Sequence, residues 1–194
     1  MMAAMQALLA RLRRLALVED GVAAVEFALI LPIMLLVYIG SVEASLAITM
    51  DRKVQLVAGA LGDLVARSDT TIAAGTLEDY FQAAGGIMTP YPVGNLKQVV
   101  TQVLVSDDGS SATVVWSREY NYSDEEVIVG TDHPQDSSFE LPVAMRAIAP
   151  GGYVIVAESS YEHTPLSGFV FNQPITLYRE NFLLPRFGGS ITVN

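Results

Sequence analysis

The chain has no cysteine among its 194 residues, which excludes disulfides and thiolate metal sites and leaves stability to core and membrane burial. Basic residues are few, 11 Lys and Arg against 21 Asp and Glu, for a formal net charge of −10. A nucleic-acid partner needs clustered cations along its phosphate backbone, so no nucleic acid is expected, and the acidity reads as a solubility device. Histidine is limited to His133 and His163, neither with carboxylates at helical ligand spacing, so no metal or cofactor is expected. Ser159-Ser160-Tyr161-Glu162-His163 places a serine near a histidine, but alternate residues of a strand point to opposite faces, so adjacency there supplies no nucleophile–base pair. Asp107-Asp108-Gly109 is too short for a calcium loop and reads as a turn. Nothing points to an enzyme or a small-molecule substrate.

What the chain does have is one long apolar segment, in a sequence that is 51% hydrophobic. Between residues 22 and 50 the only charges are Glu26 and Glu43. Residues 1–21 form a short basic leader with Arg11, Arg13 and Arg14, closed by Glu19, Asp20 and Gly21. The next basic residue is Arg52, and the positive-inside bias places the N-terminus in the cytoplasm and the C-terminal part across the membrane. The uncharged core, Phe27 to Val42, is about 16 residues and roughly 24 Å of helix, short of a ~30 Å hydrocarbon layer. Extension to Val22 and Ile48 makes up the deficit and puts Glu26 and Glu43 near the two interfaces, so residues 22–50 read as the transmembrane helix.

A cleaved secretory signal peptide is the competing reading, with a weak site around Glu43 to Ala47. Against it, the apolar core is long and helical patterning continues: Val54, Val57, Leu61 and Leu64 share one face. Residues 51–67 are therefore an amphipathic continuation, and Val22 to about Arg67 can be one helix of about 46 residues, with a break or bend expected near Gly59 and Gly62.

Residues 68–194 read as an extracytoplasmic α+β head. Thr76-Leu77-Glu78-Asp79 resembles a capping box for a short helix stopped by Gly85-Gly86, and Pro90-Tyr91-Pro92 is expected to be extended. Leu96–Val105 and Ala112–Tyr120 alternate at period two around Asp107-Asp108-Gly109, a hairpin signal. A second pair is Tyr153–Tyr161 with Ile175–Leu184. Between the pairs lie a polar and acidic connection, Asn121 to Ser138 with Asp124-Glu125-Glu126 as a solvated run, and a short helix within Phe139–Ala149. Trp116 and Phe169-Val170-Phe171 are expected in the core or on a sheet face. The fold class is α+β: an antiparallel sheet of about four strands covered by the outer half of a long N-terminal helix.

The start of the apolar helix carries the chemistry. Gly21 has no side chain to obstruct a protease and leaves a helix readily. A cut between Gly21 and Val22 would make Val22 a new N-terminus with Glu26 one turn away. A carboxylate in lipid costs about 2.5–3.5 kcal/mol, so pairing Glu26 with the ammonium of a neighbouring subunit would drive assembly. The alternative is that Glu26 marks the interface. Pro32 removes one helical hydrogen bond, as a tolerated kink or as a soft point for leaving the bilayer. Gly40, Ala44 and Ile48, with Ser41 and Ser45 beside them, either admit a neighbouring helix or merely suit lipid.

The stretch G-V-A-A-V-E-F-A-L-I-L-P, followed by Gly40-Ser41-Val42-Glu43, resembles the N-terminus of TadE-like pseudopilins of the tight adherence (Flp) pilus system, a branch of the type IV pilus superfamily. In the head, Leu141-Pro142, Met145-Arg146, Tyr153 to Glu158, Tyr161, Pro165 and Pro185-Arg186 add to the likeness. The resemblance implies a pilin-like fold and cleavage between Gly21 and Val22 by a prepilin peptidase at the bacterial inner membrane. It implies a single-pass subunit with a cytoplasmic N-terminus and periplasmic head, working with other pilins and the pilus assembly machinery and entering an extracellular pilus, with Glu26, Phe27 and Pro32 as the assembly contact. Phe27 departs from the tyrosine usual in major Flp pilins, which together with the large head implies a minor pseudopilin. The other reading is an uncleaved signal-anchor protein whose periplasmic domain scaffolds or binds another envelope component.

Overall fold

The computed structural model describes residues 21–122, 126–130, 132–165, 168 and 172–194. The leader residues 1–20, Asp124 and Glu125, and Phe169-Val170-Phe171 lie outside the described residues. Helix α1 spans Val22–Ala66. Strand β1 (Thr71–Ile72), helix α2 (Ala74–Gly85) and a 3-10 turn (Gly86–Met88) follow. The main strands are β2 (Leu96–Val105), β3 (Ala112–Asn121) and β4 (Glu126–Val129); after helix α3 (Val143–Ile148) come β5 (Tyr153–His163), β6 (Ile175–Leu183) and β7 (Thr192–Val193). The sheet runs β4-β3-β2-β5-β6, antiparallel throughout, and β1 pairs with β7 in a separate parallel ribbon.

The α+β architecture expected from the sequence is present, with a fifth strand. The extra one, β4, lies inside the Asn121–Ser138 connection, read as polar and acidic, and starts at the last residue of its acidic run; Val127 pairs with Tyr120 and packs against the core.

Alternation gives the sheet two distinct faces. Val100, Trp116, Tyr120, Ile155 and Ala157 point to one side and meet Val54, Val57, Leu61 and Val65 of α1 with Leu77 and Phe81 of α2. Val65 fills the place expected for Leu64, which is half-buried. The opposite side carries a smaller core of Val103, Val105, Val114, Val154 and Val156, closed by Leu141, Phe139 and Met145 around α3.

Helix α1 is unbroken at Gly59 and Gly62, where a bend was expected. The glycine at 62 serves close approach: a Cβ there would stand 2.5 Å from Leu183 Cδ1 and 3.1 Å from Ala157 Cβ. α1 thus settles onto β5 and β6, and it runs in the same direction as β6. Asp51 pairs with Arg179 at 2.6 Å, Gln55 Nε2 donates to Asn181 Oδ1 at 3.2 Å, and Asp63 pairs with Arg186 further along both elements.

Hydrogen bonds from Arg67 and then Arg186 hold the Asp63 carboxyl below its usual 3.8. A depressed carboxylate stabilises the fold above its unfolded pKa and loses that contribution as pH falls through the folded value. Asp63→Asn should therefore lower the head's thermal midpoint slightly near neutral pH, with the difference shrinking as pH falls below 3.8 and through the depressed folded value; the pair is half-exposed, so the effect is small. A pH-independent difference would assign the loss to packing instead.

Helix α2 starts earlier than the capping-box reading. Its N-cap is Ala73, which makes no side-chain cap; the Ala74 N–H donates instead to the Asn194 carbonyl at 2.7 Å. The returning C-terminal segment supplies an acceptor that local sequence cannot reveal. The α-helix ends at Gly85 as expected, but Gly85 has a second role. A Cβ there would collide with the Tyr122 hydroxyl and lie 2.6 Å from its Cζ. That hydroxyl donates to Phe81 O at 2.8 Å and accepts from Gln98 Nε2. Gly85→Ala should thus destabilise the head by about 1–3 kcal/mol in chemical denaturation, although alanine favours a helix by about 1 kcal/mol.

Pro90-Tyr91-Pro92 forms a turn rather than an extended run. Tyr91 N donates to Met88 O at 2.8 Å. Lys53 Nζ draws the preceding segment onto α1 by donating to Ile87 O at 2.6 Å and Thr89 O at 2.8 Å. The β2–β3 reversal is the turn expected: Gly109 takes φ +67°, and Asp108 accepts from Ser106 Oγ at 2.6 Å and Ser110 N at 2.9 Å.

The tail after β6 is a strap under the sheet. Ile191 is fully buried. Its carbonyl accepts from Trp116 Nε1 at 2.6 Å and its N–H donates to Gln102 Oε1 at 3.0 Å. Trp116 Nε1 also reaches Gln102 Oε1 at 2.9 Å, and Gln102 Nε2 donates to Ser190 Oγ at 2.9 Å. Beyond it, β7 zips to β1.

Candidate functional site

Helix α1 divides into a bare part and a packed part. Every residue from Gly21 to Tyr38 is exposed, including Val22 at 53% and Leu29 at 70%. Cover begins at Ile39 and Gly40, which are half-buried, and by Glu43 the side chain is 3% exposed. An apolar surface this long, with no protein against it, is stable in lipid or against other helices. Among the described residues α1 is the one helix long and apolar enough to cross a membrane.

Gly21 is the N-cap of α1, with φ −90° and ψ −16°, and among the described residues, its chain neighbours and the helix backbone aside, no atom stands within 4 Å of where a Cβ would be. Gly21 and Val22 are both exposed, so the bond between them lies on the surface at the start of α1. Glu26 is exposed one turn on, about 6 Å along the axis from Val22. Phe27, also exposed, flanks it. Pro32 lies inside α1 without interrupting it. Gly21, Val22, Glu26, Phe27 and Pro32 thus share one uncovered segment.

The small-residue stripe is divided. Gly40 and Ala44 are half-buried, whereas Ser41, Ser45 and Ile48 remain exposed. Ser41 Oγ donates to Tyr38 O at 2.7 Å and Thr49 Oγ1 to Ser45 O at 2.8 Å, so these hydroxyls are satisfied within the helix. The burial of Glu43 escaped the sequence reading, which placed it near a membrane interface.

A second polar group, also unread from sequence, sits on the α3 side of the sheet. His133 Nε2 meets Glu158 Oε2 at 2.7 Å, and Tyr178 donates to Glu158 Oε1 at 2.6 Å with Glu180 Oε2 at 3.2 Å. Burial, then donation to Glu158, pushes the Tyr178 phenol well above its usual range. Nearby, Lys97 pairs with Asp132 at 2.7 Å and Glu119 at 3.3 Å. Burial works against the Lys97 charge, but the two carboxylates prevail and raise its pKa. These contacts hold the segment after β4 onto the sheet. His163 is buried at the end of β5. Among the described residues no group of three or more His, Asp or Glu is arranged to hold a metal ion.

Residues 21–60 match the family model described as TadE-like protein. The matched segment begins at the exposed glycine, takes in the whole bare part of α1 and ends in its packed part, with the sheet outside the match. No curated protein and no solved structure matches the chain.

Proposed function

From a TadE-like N-terminal helix as premise, we propose that this chain is a minor pseudopilin of a Tad pilus, anchored in the bacterial inner membrane with its N-terminus in the cytoplasm and its head in the periplasm. The observation that carries the proposal is the TadE-like match lying over an apolar helix that the head leaves bare. A prepilin peptidase cuts between Gly21 and Val22, and the chain then joins other pilins in starting or building the filament. Glu26 pairs with the new terminal ammonium of a neighbour, with Phe27 and Pro32 in the same contact and Gly40 and Ala44 close to adjoining helices. No chemistry on a small molecule is required of any residue.

The extent of the bare segment defines the membrane part. Val22 to Val42 is about 21 residues, roughly 32 Å of helix, against a ~30 Å hydrocarbon layer. We therefore take residues 22–42 as spanning the lipid, with residues 43–50, counted with the span on composition, at the base of the head. Glu43 then meets the outer interface under protein cover, while Glu26 sits about one turn inside the inner one.

Intact mass of the membrane-bound chain, with and without the prepilin peptidase, tests this reading. The wild type should lose the mass of residues 1–21 only when peptidase is present, and Gly21→Ala should largely retain it. An unchanged wild-type mass would favour the uncleaved signal-anchor protein. Glu26→Gln should still be cleaved but should abolish incorporation into pili; normal piliation by that variant would refute the pairing.

A further inference from the structure

Strand β6 ends the sheet on one side, and among the described residues no strand pairs with its outer edge. Its sequence, Ile-Thr-Leu-Tyr-Arg-Glu-Asn-Phe-Leu over Ile175–Leu183, is strongly β-forming and has no proline or lysine to discourage pairing. Every second residue of such an edge turns its backbone N–H and C=O outward. Among the described residues the one register shift in the sheet lies in the β2–β3 pairing, away from this edge.

On the α3 side the exposed charged side chains at and beside the edge, Glu180 and Glu162, are both acidic. Thr176, Tyr178 and Glu180 are exposed on the α3 side of β6, and Glu162 is exposed on the neighbouring strand. On the other side, Arg179 is held by Asp51 at 2.6 Å. Beside the edge is a cavity of about 270 Å³, bounded by Tyr178, Thr176, Glu158, Asp132, Lys97 and Val99, large enough for one long side chain. Among its lining residues the one cation, Lys97, is shared by Asp132 and Glu119, and Glu158 meets His133 and Tyr178, so a basic side chain entering the cavity would add to pairs already made.

We propose that the outer edge of β6 takes up an extended segment of a partner protein, with backbone pairing and with basic side chains at alternate positions meeting Glu180 and the Asp132–Glu158 cavity. Ladder hydrogen bonds supply affinity in such a complex, and the pocket beside the edge supplies selectivity. A second copy is a poor occupant on two counts, the first of which rests on the membrane-anchored reading. β6 runs alongside α1, so in two copies inserted in the same sense both β6 strands point the same way, and antiparallel β6–β6 pairing cannot form. Parallel pairing of β6 with β4 of another copy would bring Glu126 toward an edge that already carries Glu180, with a formal charge of −10 on each chain.

The test uses the full chain in detergent micelles and two labelled ten-residue peptides, one alternating arginine with valine and threonine, the other with glutamate in place of arginine. The basic peptide should bind and slow amide exchange along β6 by about 10-fold or more while leaving β2 unchanged, and Glu180→Lys with Thr176→Lys should weaken it by about 10-fold. The glutamate peptide should do neither. Absence of binding, equal binding of both peptides, or binding without protection of β6 would overturn the proposal. Protection of β6 that grows with protein concentration in the absence of peptide would also overturn it, and would assign the edge to a second copy.

Discussion

Trp116→Ala is expected to cost the head about 3–5 kcal/mol, measured as a loss of denaturant midpoint by far-ultraviolet circular dichroism. Two losses combine. The indole is 7% exposed and belongs to the core under α1, so its removal leaves a large cavity. Its Nε1 also donates to Gln102 Oε1 and to the Ile191 carbonyl, and their removal leaves Ile191 O in the core without a donor. Trp116→Phe separates the terms: it keeps most of the apolar volume and should cost about 1–3 kcal/mol, mainly from the unsatisfied carbonyl. If Trp116→Phe proved neutral, the strap would be held by packing alone. A domain stability of about 5–15 kcal/mol makes the alanine variant marginal.

Leu61→Ala comes next, at about 2–5 kcal/mol. Leu61 is fully buried and lies in the part of α1 that meets β5 and β6, one residue before the close approach at Gly62. The helix there cannot move inward to fill the space, because the backbone is already held by the Asp63–Arg186 pair and by Arg186 N donating to Ala66 O at 2.9 Å. Trp116, the only tryptophan, reports the change directly: its emission should shift to longer wavelength at lower denaturant than in the wild type. Leu56→Ala is the matched control on the opposite face, since Leu56 is 59% exposed; it should change stability by no more than about 0.5 kcal/mol. Equal losses at both positions would mean that α1 does not pack as described.

The long helix and four of the five main strands were legible because each carries a period that burial imposes. Val54, Val57 and Leu61 repeat at three and four, and β2, β3, β5 and β6 alternate around turn residues. β4 was hidden because Asp124, Glu125 and Glu126 precede three apolar residues, and a short edge strand needs only its neighbour to form. The strap was hidden for a different reason: two-residue strands around a single buried Ile191 have no period at all. Gln98 and Gln102 sit where alternation calls for apolar residues, and their buried amides had a meaning only once Tyr122, Ser190 and Ile191 were seen to return to them. Gly62 reads as a weak point in a helix and Gly85 as a helix stop, whereas both are also points of contact that exist only after another element has packed there. In the candidate site, Gly21 and Glu26 stand out by local spacing. The depth of Glu43 does not, because local spacing carries no signal of burial at a single carboxylate.

The cover that begins at Glu43 has a mechanical meaning in the proposed anchored state. There is no flexible stalk between bilayer and head: α1 passes from lipid into protein within about one turn. The head is then a flange seated on the outer surface. It blocks travel of α1 toward the cytoplasm and leaves travel away from it opposed only by the apolar surface of residues 22–42. Rotation of the head about α1 turns the lipid-embedded residues through the same angle. A force on the head therefore acts on Glu26 as through a rigid shaft, and withdrawal from the membrane is a one-way stroke.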